Sequence, residues 1–196
     1  MMRRDLLLGG YEQMNIQRRK DIESLKKVLI VGETKHGKST FAEKYCKDNG
    51  LNAIVCDFEN TNFTAMDLVV DFDLSNDVKL FRSLHKLIKE VVASDYDTIV
   101  LDGIDSVIEG FISNANGLKA YADRSKTFAR LMNELDKSKL NIIFVGQEPA
   151  NLEYYKGSEE KPNKCVVRLN ARVNETYLCS KDDKGEFSVK CLNRRG

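Results

Sequence analysis

The sequence predicts a three-layer α/β fold built on a mostly parallel sheet and closed by an antiparallel hairpin. Three observations predict it. Apolar runs of strand length recur within residues 28–31, 51–59, 97–102 and 141–147, near-continuous rather than alternating, as strands covered on both faces must be. Segments of helical period separate them, the order that puts helices on both sides of a parallel sheet. The C-terminal stretch alternates instead, and Asp182-Asp183-Lys184-Gly185 supplies a turn.

The bulk properties narrow the field. A chain of 196 residues, 42% hydrophobic and 31% charged, is long enough to bury a core as one domain. The net charge of +1 carries no nucleic-acid signal, so any basic surface must come from clustering. Five cysteines without a Cys-x-x-Cys pair point to reduced, packed thiols in an intracellular, cytoplasmic protein, or in host cytoplasm for a viral one. With only His36 and His85 to help, no metal site of the zinc type is expected. The apolar run after Arg3-Arg4 stops at Gly9-Gly10, too short for an export signal. No segment approaches the roughly 20 apolar residues of a membrane span.

Taken in order, residues 1–26 read as a charge-rich N-terminal arm and residues 27–196 as the folded domain. Val28-Leu29-Ile30-Val31 is the first strand. It runs into Gly32-Glu33-Thr34-Lys35-His36-Gly37-Lys38-Ser39-Thr40, followed by a helix from Phe41. Strand, Gly-x-x-x-x-Gly-Lys-Ser loop and helix in that order make a phosphate-binding loop, its backbone N–H groups and the helix N-terminus facing a polyphosphate. Lys38 is placed to reach the β- and γ-phosphates, and Ser39 to ligate Mg²⁺. The second strand ends on Asp57 and Glu59. A short strand follows within Leu68–Leu74, then a helix capped by Ser75 and running to about Ser94, with Val78, Phe81, Leu84, Leu87 or Ile88, and Val91 inward. His85 is a boundary residue of that helix. The strand Asp97–Asp102 leads to an amphipathic stretch over Ile104–Phe111. A helix over about Leu118–Lys137 turns Phe128, Leu131 and Leu135 inward. Asn141–Gln147 is the fourth core strand. Residues 148–164 form a long loop with Tyr154, Tyr155, Lys156, Lys161 and Lys164. Val166–Leu169, Thr176–Leu178 and Phe187–Lys190 alternate as strands.

Hydrolysis of a nucleoside triphosphate needs a phosphate cradle, a metal, a group that orients water and a sensor of the γ-phosphate. Asp102, closing an apolar strand, suits the metal. Gly103 follows it, so the glutamate often adjacent to that aspartate is missing. Glu59 is the substitute that activates water, with Asp57 as competitor. Strand alternation puts the two on one side and does not separate them. Gln147, at the tip of the fourth strand, is placed to read the γ-phosphate.

These stretches carry a resemblance. The phosphate loop, the strand ending Asp-Phe-Glu-Asn-Thr-Asn-Phe, the strand Ile-Val-Leu-Asp-Gly-Ile-Asp-Ser-Val and the one ending Phe-Val-Gly-Gln together resemble the core of the RecA/RadA P-loop ATPases. The short layout is most similar to the single-domain RecA-like recombination and annealing ATPases of phages and archaeal viruses. The resemblance covers about residues 27–195. It implies a RecA-like three-layer P-loop NTPase fold and an ATPase acting on DNA with ATP and Mg²⁺. Glu59 then activates water, Asp102 sits at the metal and Gln147 is the sensor. It also implies a homo-oligomer in which segments after Asp102 and after Gln147 line a channel for single-stranded DNA. Lys190, Arg194 or Arg195 would reach a neighbour's nucleotide. The family's N-terminal domain and Phe-x-x-Ala tether have no counterpart here, so full strand exchange is not expected. Two other classes compete. A packaging or translocation motor would normally carry a glutamate where Gly103 stands. A small-molecule kinase would want arginines in residues 148–164, which hold none.

Overall fold

The computed structural model describes residues 25–59, 63, 65–69, 72–110, 118–147, 169 and 172–194. Within them lie β1 (Lys27–Gly32), α1 (Lys38–Asp48), β2 (Ala53–Asp57), β3 (Asp67–Val69), α2 (Asp77–Val92), β4 (Thr98–Asp102), α3 (Ile104–Gly110), α4 (Leu118–Ser138), β5 (Asn141–Gln147), β6 (Glu175–Lys181) and β7 (Phe187–Arg194). The seven strands form one sheet in the order β3-β2-β4-β5-β1-β6-β7. All neighbours are parallel except β6 and β7, the closing hairpin. The strand of Asp102 lies beside β2, and β5 lies between it and the strand of the phosphate loop.

The apolar runs are continuous because each strand feeds two cores. Leu29, Val31, Ile99, Leu101, Ile142 and Phe144 meet α2, α3 and α4 on one face. Val28, Ile30, Val100, Ile143 and Val145 meet Ala42, Tyr45 and Cys46 of α1 on the other. Alternate side chains therefore land in different layers, and both layers are apolar through the middle of the sheet. This is the three-layer fold of P-loop NTPases.

Several local expectations change. Asn76, not Ser75, caps α2, its side chain accepting from the Lys79 N–H at 3.0 Å. Ser75 is occupied with Asp73, to which it donates from both its N–H and its hydroxyl. The buried stripe keeps Leu84, Leu87, Ile88 and Val91 but takes Leu80 in place of Val78, which is 52% exposed, and Phe81 is partly buried. On α4, Leu131, Met132 and Leu135 are buried; the side chain of Phe128 lies outside the described residues. Leu169, expected in a strand, is helical, while 166–168 lie outside. So do residues 1–24 of the arm, 111–117, the loop 148–164 with its tyrosines and lysines, Cys165 and Arg195. The third strand is shorter than expected, Asp67–Val69. Cys46, Cys56 and Cys179 are free and buried, whereas Cys191 is free and exposed. Burial pushes the Cys46 and Cys179 thiols up to about 11, which keeps them protonated and unreactive. His85 stacks on Phe81 and stands 3.2 Å from Glu134.

At the end of the sheet where β6 starts, Glu175 is buried among partners. Its Oε2 accepts from the Tyr45 hydroxyl at 2.9 Å and the Tyr177 hydroxyl at 2.6 Å. Arg194 donates to the Tyr177 hydroxyl at 2.9 Å and approaches Glu175 at 3.5 Å, and Lys26 stands 3.7 Å away. Tyr45 comes from α1, so this cluster ties the hairpin to the helix that follows the phosphate loop. No helix among the described residues is long and apolar enough to cross a membrane.

Candidate functional site

β1 delivers the loop Gly32–Gly37 to the edge of the sheet where the parallel strands end. Gly32 has no alternative: a Cβ there would lie 2.3 Å from the backbone oxygen of Cys179 on β6. Lys35 takes φ 65, a left-handed backbone that costs a side-chain-bearing residue on the order of 1 kcal/mol. The loop thus holds its curvature at some expense.

α1 opens on Gly37 with no side-chain cap and no acidic residue in its first turn. Its leading N–H donors therefore face the loop, together with the positive end of the helix dipole. That combination suits an anion. Lys38 is only 8% exposed, and its ammonium donates to the Glu33 carbonyl at 2.9 Å. The loop carries a second contact on its rim, with His36 Nε2 3.6 Å from the Glu33 carboxylate.

Ser39 and Asp102 meet although 63 residues separate them: the Ser39 hydroxyl donates to Asp102 Oδ2 at 3.1 Å. Asp102 is 1% exposed. A hydroxyl and a carboxylate oxygen converging beside a phosphate cradle are the hard donor set that Mg²⁺ takes when phosphate oxygens and water complete its shell. Among the described residues no group of three or more His, Cys, Asp or Glu forms a metal site. A cation here would therefore depend on the nucleotide as well as on Ser39 and Asp102.

Glu59 reaches the same place from the neighbouring strand. β2 ends at Asp57, and the chain bends over Phe58 and Glu59. The alternation expected to keep Asp57 and Glu59 on one side stops where the strand stops. Asp57, 4% exposed, accepts the Glu59 N–H at 3.2 Å and fixes the bend. The Glu59 side chain then lies over Gly103. A Cβ at position 103, already at φ 83, would come within 2.5 Å of Glu59 Cγ. The missing adjacent glutamate and the bare glycine are one feature: the second carboxylate arrives from β2 and needs the space. Ser106 of α3, which sequence reasoning did not single out, stands 3.5 Å from Glu59 Oε1.

Together these residues enclose a cavity of about 390 Å³ lined by Thr34, Lys35, Gly37, Lys38, Ser39, Thr40, Glu59, Asp102 and Phe187. Asp57 is not in that lining. Neither is Gln147, which is exposed at the tip of β5, in register with Gly32. Its backbone N–H donates to Asp105 Oδ2 at 2.6 Å, joining β5 to the first turn of α3. A Cβ on Gly146 would lie 2.8 Å from that same oxygen. Asp105 and Phe187 went unremarked in the sequence. The first lacked any motif, and the second comes into view only once the hairpin is folded. Of the basic C-terminal residues, Arg194 is engaged by Tyr177 and Glu175 and Lys190 is exposed.

A comparison with curated proteins finds no match. The family model described as an AAA domain matches residues 24–175. That span contains the phosphate loop, Glu59, Asp102, Gln147 and the strands that carry them. The match extends over most of the chain, and the chain belongs to the AAA domain family of nucleotide-binding P-loop ATPases.

Proposed function

We propose that this protein is a RecA-like ATPase that hydrolyses ATP with Mg²⁺ and acts as a homo-oligomer on single-stranded DNA, in recombination, annealing or repair. The observation that carries the reading is the convergence of Ser39, Asp102 and Glu59 on one phosphate-binding cavity. Lys38 and the uncapped N–H groups of α1 hold the phosphates. Ser39 and Asp102 hold the cation, which when bound supplies positive charge to the phosphate oxygens. Glu59, with its carboxylate facing the cavity, takes the proton of the attacking water. Gln147 is the sensor: a side chain on the strand next to the loop's root, anchored through its backbone by Asp105.

The DNA part of the reading rests on placement and on the RecA resemblance. The segments after Asp102 and Gln147 leave the sheet at the edge that carries the cavity, and Asp105 links their starting points. Phosphate occupancy sensed at Gln147 then passes to the loop behind it.

The test is ATP turnover with and without single-stranded DNA, joined to fluorescence anisotropy of a labelled oligonucleotide. Stimulated turnover is expected, with oligonucleotide affinity that differs between ADP and a non-hydrolysable ATP analogue and falls steeply with salt. Gln147→Ala should bind DNA equally in both nucleotide states. No DNA binding in any state overturns the DNA reading, and nucleotide-independent binding by the wild type overturns the sensor.

A further inference from the structure

The hairpin brings a residue to the phosphate cavity that no other part of the site requires. Among the described residues lining the cavity, Phe187 alone comes from outside the loop, the start of α1 and the ends of β2 and β4. Its ring lies against the residue that opens α1, with Cδ1 3.1 Å from the position a Gly37 Cβ would take. The ring nevertheless stays 61% exposed. Lys181, its cross-strand partner, holds its ammonium 5.1 Å from the ring centroid. A single exposed aromatic is unremarkable; one on the rim of a phosphate cradle, with a cation over one face of the ring, is a surface prepared for a planar ligand.

We propose that Phe187, backed by Lys181, is the platform on which the base of the bound nucleotide stacks. The inference rests on the nucleotide reading of the cavity and adds the place of the nucleoside. The Glu59–Asp102 side holds the water-activating and cation-binding groups, so the terminal phosphates lie there. The nucleoside must then leave the cavity elsewhere, and the hairpin stands at the Gly37 side of the loop. Stacking recognises the face of the base, which phosphate contacts cannot do, and it gives the hairpin a contact that depends on ligand. Removing the ring should therefore weaken nucleotides and spare a polyphosphate that lacks a base.

The experiment compares ATP with inorganic tripolyphosphate, each with Mg²⁺, on the full chain. Phe187→Ala should weaken ATP binding on the order of tenfold in isothermal titration and leave tripolyphosphate affinity unchanged, while Phe187→Tyr should retain ATP affinity. The chain contains no tryptophan, so Phe187→Trp places a single tryptophan, excited apart from the tyrosines at the red edge, at the platform. ATP should change its emission and tripolyphosphate should not. Equal weakening of both ligands by Phe187→Ala would mean that the ring only shapes the loop, and unchanged ATP affinity would put the base elsewhere. Either result overturns the platform while leaving the nucleotide site intact. Failure of the wild type to bind ATP overturns the nucleotide reading itself, and the platform with it.

Discussion

Lys38, Glu59 and Gly103 are separable by what their replacement should remove. Lys38→Ala takes away the one buried cation of the loop and should abolish ATP binding in a titration. Glu59→Gln keeps the shape over Gly103 but offers no base, so ATP should still bind while turnover falls by about 10²-fold or more. Asp57→Asn provides the contrast, since Asp57 holds the bend rather than facing the cavity. Normal turnover by Glu59→Gln together with loss in Asp57→Asn would reverse that assignment. Gly103→Ala should slow turnover as well, because its methyl group and the Glu59 side chain claim the same volume. The reciprocity of Glu59 and Gly103 was only half legible in the sequence. The missing glutamate could be read there. That β2 ends before Glu59, which puts Glu59 and not Asp57 in the cavity lining, depends on where the strand breaks.

At the scale of elements, the cap of α2 and its packing face are set by different residues. Asn76→Ala removes the acceptor for the Lys79 N–H and should cost about 1 kcal/mol in denaturant unfolding. Ser75→Ala should cost less, because Ser75 bonds an exposed aspartate outside the helix. The four central strands were legible because burial on both faces keeps their middle positions apolar. The α2 stripe differs in its first turn because Val78 and Leu80 both fit a helical spacing, and the packing of α2 against the sheet and α4 chooses between them. β7 was legible as a strand but not as a wall of the site. Nothing local to Phe187 says that its antiparallel pairing with β6 will carry it to Gly37.

For the molecule as a whole, the Glu175 cluster makes stability depend on pH from both sides. Burial alone would raise the Glu175 carboxyl, but the hydrogen bonds from Tyr177 and Tyr45, with the charges of Arg194 and Lys26, outweigh it and hold the group below its ordinary value of 4.5. Its contribution is therefore present above about pH 4.5 and is lost as pH falls through the lowered folded value. Burial and then Glu175 raise both tyrosine hydroxyls above their ordinary 10.0, so their contribution is present below that value and lost as pH rises beyond it. Thermal melts should show Glu175→Gln less stable than wild type near neutrality, with the difference shrinking below about pH 4.5. A difference that persists unchanged in acid would remove the carboxylate from that account.

The strand order also dictates when the site can exist. β1, which carries the phosphate loop, pairs among the described strands with β5 and β6. Both of these strands are made after residue 140, and the surface of Gly32 that β6 covers stays open until Cys179 is in place. During synthesis the loop leaves the ribosome well before the strands that close it, because Val28 pairs with Ile143 and with Glu175. A nascent chain halted after α4 should bind no ATP, however complete its loop sequence. Capacity to bind should appear only once β6 has emerged from the exit tunnel.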